Sequence, residues 1–93
     1  MATHEVQVVQ SVAFARNYKK LHHNRRLDVD AAVEKIVQDP LVGEPKRGDL
    51  AGTYVYKFKS QTQLVLLAYE FDPKTRYLLL LGSHENFYEQ LKR

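Results

Sequence analysis

The first half of the chain carries apolar residues at helical spacing. Phe14, Tyr18 and Leu21 recur at i, i+4 and i+7, which predicts a short helix with one buried face and with Ser11 as its N-terminal cap. A polar segment, residues 22–26, then interrupts the stripe. The pattern therefore predicts one helix that ends near Leu21 and a second helix that begins after the interruption.

The second helix has the longer apolar stripe. Its members lie three or four residues apart, or are direct neighbours on one face: Val29, Ala32, Val33, Ile36 and Val37. We expect Asp28 or Asp30 to begin this helix, because an aspartate can accept hydrogen bonds from the N–H groups of the first turn. Asp39-Pro40 is expected to end it, because the residue before a proline is disfavoured in the α conformation. Two helices joined by a short polar turn predict a helical hairpin.

The second half of the chain follows the period of a β-strand. Residues 54–59 place aromatic side chains on one face of the expected strand and Lys57 and Lys59 on the other. Two mainly apolar segments follow at residues 64–71 and 76–81, as expected for strands inside a sheet. Polar residues and a proline predict turns at residues 60–63 and 72–74. Gly82 is expected to end the last strand.

The remaining segments complete an α+β order. Residues 5–10 are rich in valine and predict a first strand, whereas residues 41–53 hold three of the four glycines and predict a loop. Residues 84–92 can form one or two helical turns. We expect one domain, residues 1–93, with the order β-α-α-β-β-β-α and the helical hairpin packed on an antiparallel meander of three to four strands.

The composition excludes several kinds of chemistry. The chain has no cysteine, so disulfides, thiolate zinc sites and thiol nucleophiles are ruled out, which fits a reducing cytosol. Its first residues lack the long apolar run of a signal peptide, and no segment approaches the roughly 20 apolar residues of a membrane span. The four histidines lack the spacing of metal ligands: His4, His22, His23 and His84. We expect a cytoplasmic protein with no membrane, metal or cofactor partner.

The net charge of +3 is modest, but the cationic residues are clustered. They fall mainly into two segments, the first with Arg16, Lys19, Lys20, Arg25 and Arg26, and the second with Lys46 and Arg47. If these segments share a surface, they will attract a polyanion whose binding weakens as salt rises. We interpret them as candidate RNA-binding residues; the alternative is an ordinary solvated surface.

Five segments, in their order and spacing, resemble the RelE/ParE superfamily of toxins from type II toxin–antitoxin systems. They are "DP" at 39–40, "KRGDLAG" at 46–52, "YKFK" at 56–59, "LLAYE" at 66–70 and "LLLLGSHENFY" at 78–88. The resemblance implies a toxin that a small, acidic, partly disordered antitoxin neutralises in a hetero-oligomer. RelE-like members cut messenger RNA in the ribosomal A site without a metal, whereas ParE-like members share the fold and poison DNA gyrase.

The resemblance also implies which residues carry chemistry. Lys57 and Lys59 match the paired strand lysines of RelE-like nucleases, which hold a phosphate or stabilise its developing charge. His84 lies where relatives place a cation or a histidine with an acid–base role, and Tyr88 matches a C-terminal aromatic that stacks on a base or transfers a proton. The alternatives are solvent-facing lysines, a histidine that caps the last helix, and a tyrosine that only anchors it.

One position departs from the RelE-like pattern. Leu66 occupies the place of an arginine that holds the phosphate, and leucine cannot do so. Arg47, Arg76 or Arg93 could replace it from elsewhere in the fold. Three hypotheses therefore stay open: a ribosome-dependent mRNA endonuclease, a gyrase inhibitor without catalytic residues, and a family member that binds its partner and nothing else.

Overall fold

The structure is a computed structural model that describes residues 5–92. Its helices and strands are β1 (Gln7–Gln10), α1 (Val12–Lys19), α2 (His23–Gln38), β2 (Glu44–Pro45), β3 (Tyr54–Ser60), β4 (Gln63–Asp72), β5 (Thr75–Ser83) and α3 (Phe87–Lys92). The expected α+β architecture is confirmed, with an N-terminal strand, a helical hairpin, an antiparallel meander and a short C-terminal helix.

The strands form one sheet in the order β1-β5-β4-β3-β2. Strands β3, β4 and β5 are the antiparallel meander, and β2 adds two residues to the edge of β3. At the other edge, β1 pairs with β5 in parallel. The meander thus occupies the centre, and its two outer neighbours are short.

The central strand β4 is covered on both faces of the sheet, which explains its nearly continuous apolar sequence. Val65, Leu67 and Tyr69 face α1 and α2, while Leu66 and Ala68 face α3. All five are buried. The sheet therefore separates two apolar clusters, a larger one under the hairpin and a smaller one under α3.

A bulge in β5 resets the alternation of its side chains. The pairing passes from Ala68–Leu80 to Tyr69–Leu78, so Leu79 is an additional residue. As a result Leu78 and Leu81 both reach the cluster under the hairpin, and Leu80 lies between them on the α3 face. A strict period of two would have placed Leu78 and Leu80 on the same face.

The second helix, α2, begins earlier than the sequence predicts. Helix α2 begins at His23, with His22 as its N-cap, so Asp28 and Asp30 lie inside it and the expectation that either would begin the helix is wrong. The N–H of Arg26 already bonds to the His22 carbonyl at 3.0 Å. The polar segment can be helical because the first turn projects past the core and needs no apolar face.

Three further boundaries differ from the sequence prediction. The predicted loop at 41–53 contains β2 and one 3₁₀ turn, Gly48–Leu50. Strand β5 does not end at Gly82, because Ser83 still pairs with Val65. Helix α3 starts later than residue 84, since Asn86 has a φ of 61° in the left-handed region and turns the chain back over the sheet.

Gly43 is the point at which the chain leaving α2 meets the sheet. Its N–H donates to the Tyr69 hydroxyl at 2.9 Å, and that hydroxyl donates to the Pro40 carbonyl at 2.7 Å. Burial, the largest cause, raises the pKa of Tyr69, and the hydrogen bond from Gly43 partly opposes the rise. A Cβ at Gly43 would lie 2.7 Å from the hydroxyl oxygen.

We therefore expect Gly43→Ala to lower the free energy of unfolding by about 2 kcal/mol, because the added methyl group must displace a buried ring. Urea unfolding measures this. The matched control adds Gly43→Ala to Tyr69→Phe, which lacks the closest contact atom, so the alanine should cost less there than it does in the parent. If Gly43→Ala is as stable as the parent, the close approach does not constrain this position.

Candidate functional site

The two candidate lysines of β3 project from one face of the sheet, at one end of the meander. Lys57 pairs with Leu66, which pairs in turn with Gly82 on β5, and Lys59 pairs with Leu64. Both lysines are exposed. They lie on the same face as α3, opposite the helical hairpin, because Val55 of the same face packs in the cluster under α3.

His84 reaches the same end of the sheet from β5. It follows Ser83, the last residue of β5, whose partner is Val65, so it lies at the end of the meander where Leu64 pairs with Lys59. The imidazole is exposed, and the His84 carbonyl accepts a hydrogen bond from the Phe87 N–H at 3.4 Å.

Tyr88 lies elsewhere on this face. It is half-buried on α3, its ring meets Phe87 edge-on at 5.4 Å, and the Lys46 ammonium lies 5.1 Å from its centroid. Lys46 stands beside the short strand β2, so α3 crosses from the end of β5 towards β2. The strand register thus places the backbones of Lys57, Lys59 and His84 at one end of the meander, whereas Tyr88 contacts Lys46 beside β2.

Lys46 connects α3 to the edge of the sheet. Its ammonium also donates to Glu44 at 3.2 Å. Burial lowers the pKa of Lys46, but hydrogen bonds to Tyr88 and Glu44 outweigh that effect and leave the pKa above its ordinary value. Lys46 therefore stays charged, and its ammonium is engaged with Glu44 and Tyr88 of the same protein. It is a weaker RNA-binding candidate than its exposed neighbour Arg47.

The position that departs from the RelE-like pattern is part of an apolar layer. Leu66 is fully buried, together with Val55, Ala68 and Leu80, under the ring of Phe87. No cation in the described chain replaces the missing arginine there. The face of the sheet beneath α3 is hydrophobic core, and the polar part of the candidate site is confined to its open end.

Of the three arginines that could replace the missing one, the structure shows the contacts of Arg76 only. Arg76 is buried on the opposite face, where its guanidinium bonds to backbone carbonyls at the end of α2. Arg47 is exposed at the start of the 3₁₀ turn, and Arg93 lies outside the described residues. The suggestion that Arg76 could hold a phosphate is wrong, because each of its three guanidinium nitrogens already donates to a backbone carbonyl.

The basic residues of the hairpin divide into two groups. Arg16 and Lys19 of α1 are exposed, and so is Lys20, the C-cap of that helix. The two arginines of α2 are engaged: Arg25 donates to the Gln63 side chain, and Arg26 donates to the Lys19 carbonyl at 2.8 Å and lies 5.8 Å from the ring centroid of Tyr18. Arg26 thus holds the corner between the helices, a role that its place in a basic run did not reveal.

Two other sequence expectations concern metals and membranes. Within residues 5–92, no three His, Asp or Glu side chains cluster as metal ligands would, and His4 lies outside the described residues. None of the helices in that range is long and apolar enough to span a bilayer.

Comparison with solved structures gives the same fold. The E. coli RelBE complex contains a chain with 17% identity, 86% of this chain and 98% of that one aligned, and a TM-score of 0.70. A two-residue variant of the E. coli toxin RelE, free of antitoxin, is 16% identical, with 94% of each chain aligned and a TM-score of 0.73. A chain of the RelBE2 complex of Mycobacterium tuberculosis is 25% identical, with 86% of this chain and 99% of that one aligned and a TM-score of 0.66.

Sequence comparison identifies the family. No curated protein is similar enough in sequence to count as a relative. A family profile described as "ParE-like toxin of type II bacterial toxin-antitoxin system" matches residues 8–92, which include all the elements described above except the first residue of β1. The chain therefore belongs to the ParE-like toxins of type II bacterial toxin–antitoxin systems.

Proposed function

We propose that this toxin is a metal-independent, ribosome-dependent endonuclease of messenger RNA. The observation that carries the proposal is the register at the open end of the meander. Lys57 and Lys59 project from one face there, and His84 enters the same end two strands away. Around one scissile phosphate, two ammonium groups would stabilise the negative charge, and the imidazole would transfer one of the two protons that move when the neighbouring 2′-hydroxyl attacks.

The chemistry needs one proton acceptor, one proton donor and stabilisation of negative charge. The 2′-oxygen bonds to the adjacent phosphorus and loses its proton, while the bond from phosphorus to the 5′-oxygen breaks and that oxygen gains a proton. Lys57 and Lys59 would stabilise the charge on the phosphate oxygens. His84 would accept the first proton or donate the second, and water would exchange the other.

Exposed basic residues outside the candidate catalytic group would bind the ribosome. Arg16, Lys19 and Arg47 are exposed and suit the phosphates of ribosomal RNA, so binding should weaken as salt rises. An antitoxin is the second partner, and the structural neighbours RelBE and RelBE2 are toxin–antitoxin complexes. Tyr88 would then act by stacking on a base once α3 moves, or only as the anchor of α3 to Lys46.

The proposal predicts that His84→Ala lowers the rate of mRNA cleavage about 100-fold or more, because a general acid or base is lost. Growth arrest should disappear in cells that express the variant without antitoxin. The matched control is His23→Ala, which removes an exposed histidine at the start of α2 and should remain toxic. A His84→Ala protein that folds, binds antitoxin and still arrests growth fully would refute the catalytic role.

Inhibition of DNA gyrase is the second candidate, and the burial of Leu66 under Phe87 favours it. A toxin that only binds a protein target needs no cationic pocket on the sheet. The order of events after induction separates the two. Protein synthesis stops first if the ribosome is the target, whereas the SOS response and filamentation come first if gyrase is.

A further inference from the structure

A shallow cleft lies between α2 and the outer part of β3, on the hairpin side of the sheet. Its volume is about 230 Å³. Tyr56 and Phe58 line it from β3; both are half-buried, and their rings stack with centroids 5.8 Å apart and planes 21° apart. Ala31 and Ala32 line it from α2, where their small side chains leave room beside the rings. The cleft therefore exposes part of two aromatic rings in a space that a nucleobase can enter.

Two lysines lie beside these rings. Lys35 is exposed on α2, and Lys59 lines the cleft from the outer edge of β3. Within residues 5–92 that edge has no strand beside it after Val55, because β2 pairs only with Tyr54 and Val55. Aromatic rings next to ammonium groups are typical of sites for single-stranded nucleic acid, in which bases stack on the rings and the cations bind phosphates.

The cleft also contains one carboxylate, that of Asp28. Its Oδ2 accepts a hydrogen bond from the Ser60 hydroxyl at 2.7 Å, which fixes the orientation of the carboxylate. An ionised carboxylate only accepts hydrogen bonds, and each of its oxygens can accept more than one. Among the four RNA bases, guanine presents two neighbouring donors on one edge, the ring N–H and the amino group beside it. Asp28 therefore favours guanine.

We propose that this cleft binds a guanine base of single-stranded RNA, in the same segment of RNA as the phosphate that Lys59 holds. The base stacks on the rings of Tyr56 and Phe58 and donates to the carboxylate of Asp28. Lys35 binds a neighbouring phosphate. The RNA then crosses the open edge of β3 between the two faces of the sheet. The inference rests on the proposed function for one point only, which is that the bound RNA is the substrate.

The test measures binding of an RNA that cannot be cleaved, so its outcome does not depend on catalysis. The probe is a fluorescent heptamer of 2′-O-methyl uridines with one central guanine, compared with the same heptamer carrying a central adenine. Fluorescence anisotropy at low salt gives the Kd for the full-length toxin. Circular dichroism and the melting temperature show whether each variant is folded.

The variants separate stacking from base recognition. Phe58→Leu removes one ring of the cleft. Its matched control is Tyr54→Leu, which removes another half-buried ring from the same strand and face, outside the lining of the cleft. Asp28→Asn keeps an oxygen for the Ser60 hydroxyl but replaces the other acceptor by an amide nitrogen, which cannot accept from guanine.

We expect Phe58→Leu to raise the Kd about tenfold, as for the loss of a ring on which a base stacks, and Tyr54→Leu to change it by less than about twofold. The parent should bind the guanine heptamer about tenfold more tightly than the adenine heptamer, and Asp28→Asn should remove that difference. Both results together would support a guanine site in the cleft.

Unchanged binding in folded Phe58→Leu would overturn the proposal, and so would an equal loss in Phe58→Leu and Tyr54→Leu. Equal affinity of the parent for the two heptamers would also overturn it. Failure of the proposed nuclease is a separate result: a toxin that binds the guanine heptamer as expected but leaves mRNA intact on ribosomes has the cleft without the activity. A toxin that cleaves mRNA but does not bind the heptamer refutes the cleft alone.

Discussion

Replacement of Arg76 by leucine is expected to lower the free energy of unfolding by about 3–5 kcal/mol, a large share of the stability of so small a protein. Arg76 is buried in β5. Its Nε donates to the Ile36 carbonyl at 3.1 Å, and one terminal nitrogen donates to the Val37 carbonyl at 3.0 Å. The other terminal nitrogen donates to the carbonyls of Asp72 at 2.8 Å and Thr75 at 3.2 Å.

These contacts explain the size of the effect. The last carbonyls of a helix have no partner within the helix, and the partial negative charge at that end favours a cation. Arg76 satisfies two such carbonyls of α2 and two carbonyls of the β4–β5 turn at once. Leucine fills the space but leaves several buried acceptors without a donor.

Urea unfolding followed by circular dichroism measures the loss, and Arg76→Lys is the matched control. Lysine keeps the positive charge, but its ammonium cannot span four carbonyls arranged around a planar group. Its stability should fall between those of the parent and the leucine variant. A leucine variant within 1 kcal/mol of the parent would mean that the carbonyls find water instead, and that Arg76 is not what joins α2 to the sheet.

Arg76 also illustrates what the sequence could not predict. A single arginine in an apolar strand has the same pattern whether it faces solvent, a phosphate or the end of a helix. Its role depends on α2, which lies about 40 residues earlier in the chain. The bulge at Leu79 was unpredictable for a similar reason. It results from the pairing of β4 with β5, and the nearly continuous apolar sequences of the two strands do not reveal it.

The backbone positions of the candidate site residues were easier to predict, because local geometry determines most of them. The period of two in β3 is enough to place Lys57 and Lys59 on one face. The antiparallel meander then brings the carboxyl ends of β3 and β5 together, and with them His84. Which basic residues are free to bind RNA could not be predicted, because it depends on contacts within the fold. Arg26 donates a hydrogen bond to the Lys19 carbonyl and Lys46 donates one to Glu44, although in the sequence both resemble the exposed Arg16.

The second large effect is expected from Leu66→Arg, which introduces the residue that the RelE-like pattern has at this position. Leu66 has no exposed surface and contacts the cluster of Val55, Ala68, Leu80 and Phe87, so the new guanidinium would lack both water and a partner. Lys57 lies directly opposite on β3 and adds like-charge repulsion. We expect a loss of about 3–5 kcal/mol.

Release of α3 would reduce this cost, because Phe87 covers Leu66 in the same cluster. If Phe87 leaves the sheet, the arginine reaches water, so amide hydrogens of α3 should exchange at the rate of an unfolded segment while those of β4 stay protected. Leu66→Met is the control, since it conserves volume and should cost less than about 1.5 kcal/mol. A Leu66→Arg protein with the stability of the parent and a protected α3 would show that a cation is accommodated beneath Phe87, and the apolar layer could then no longer be an argument for the gyrase alternative.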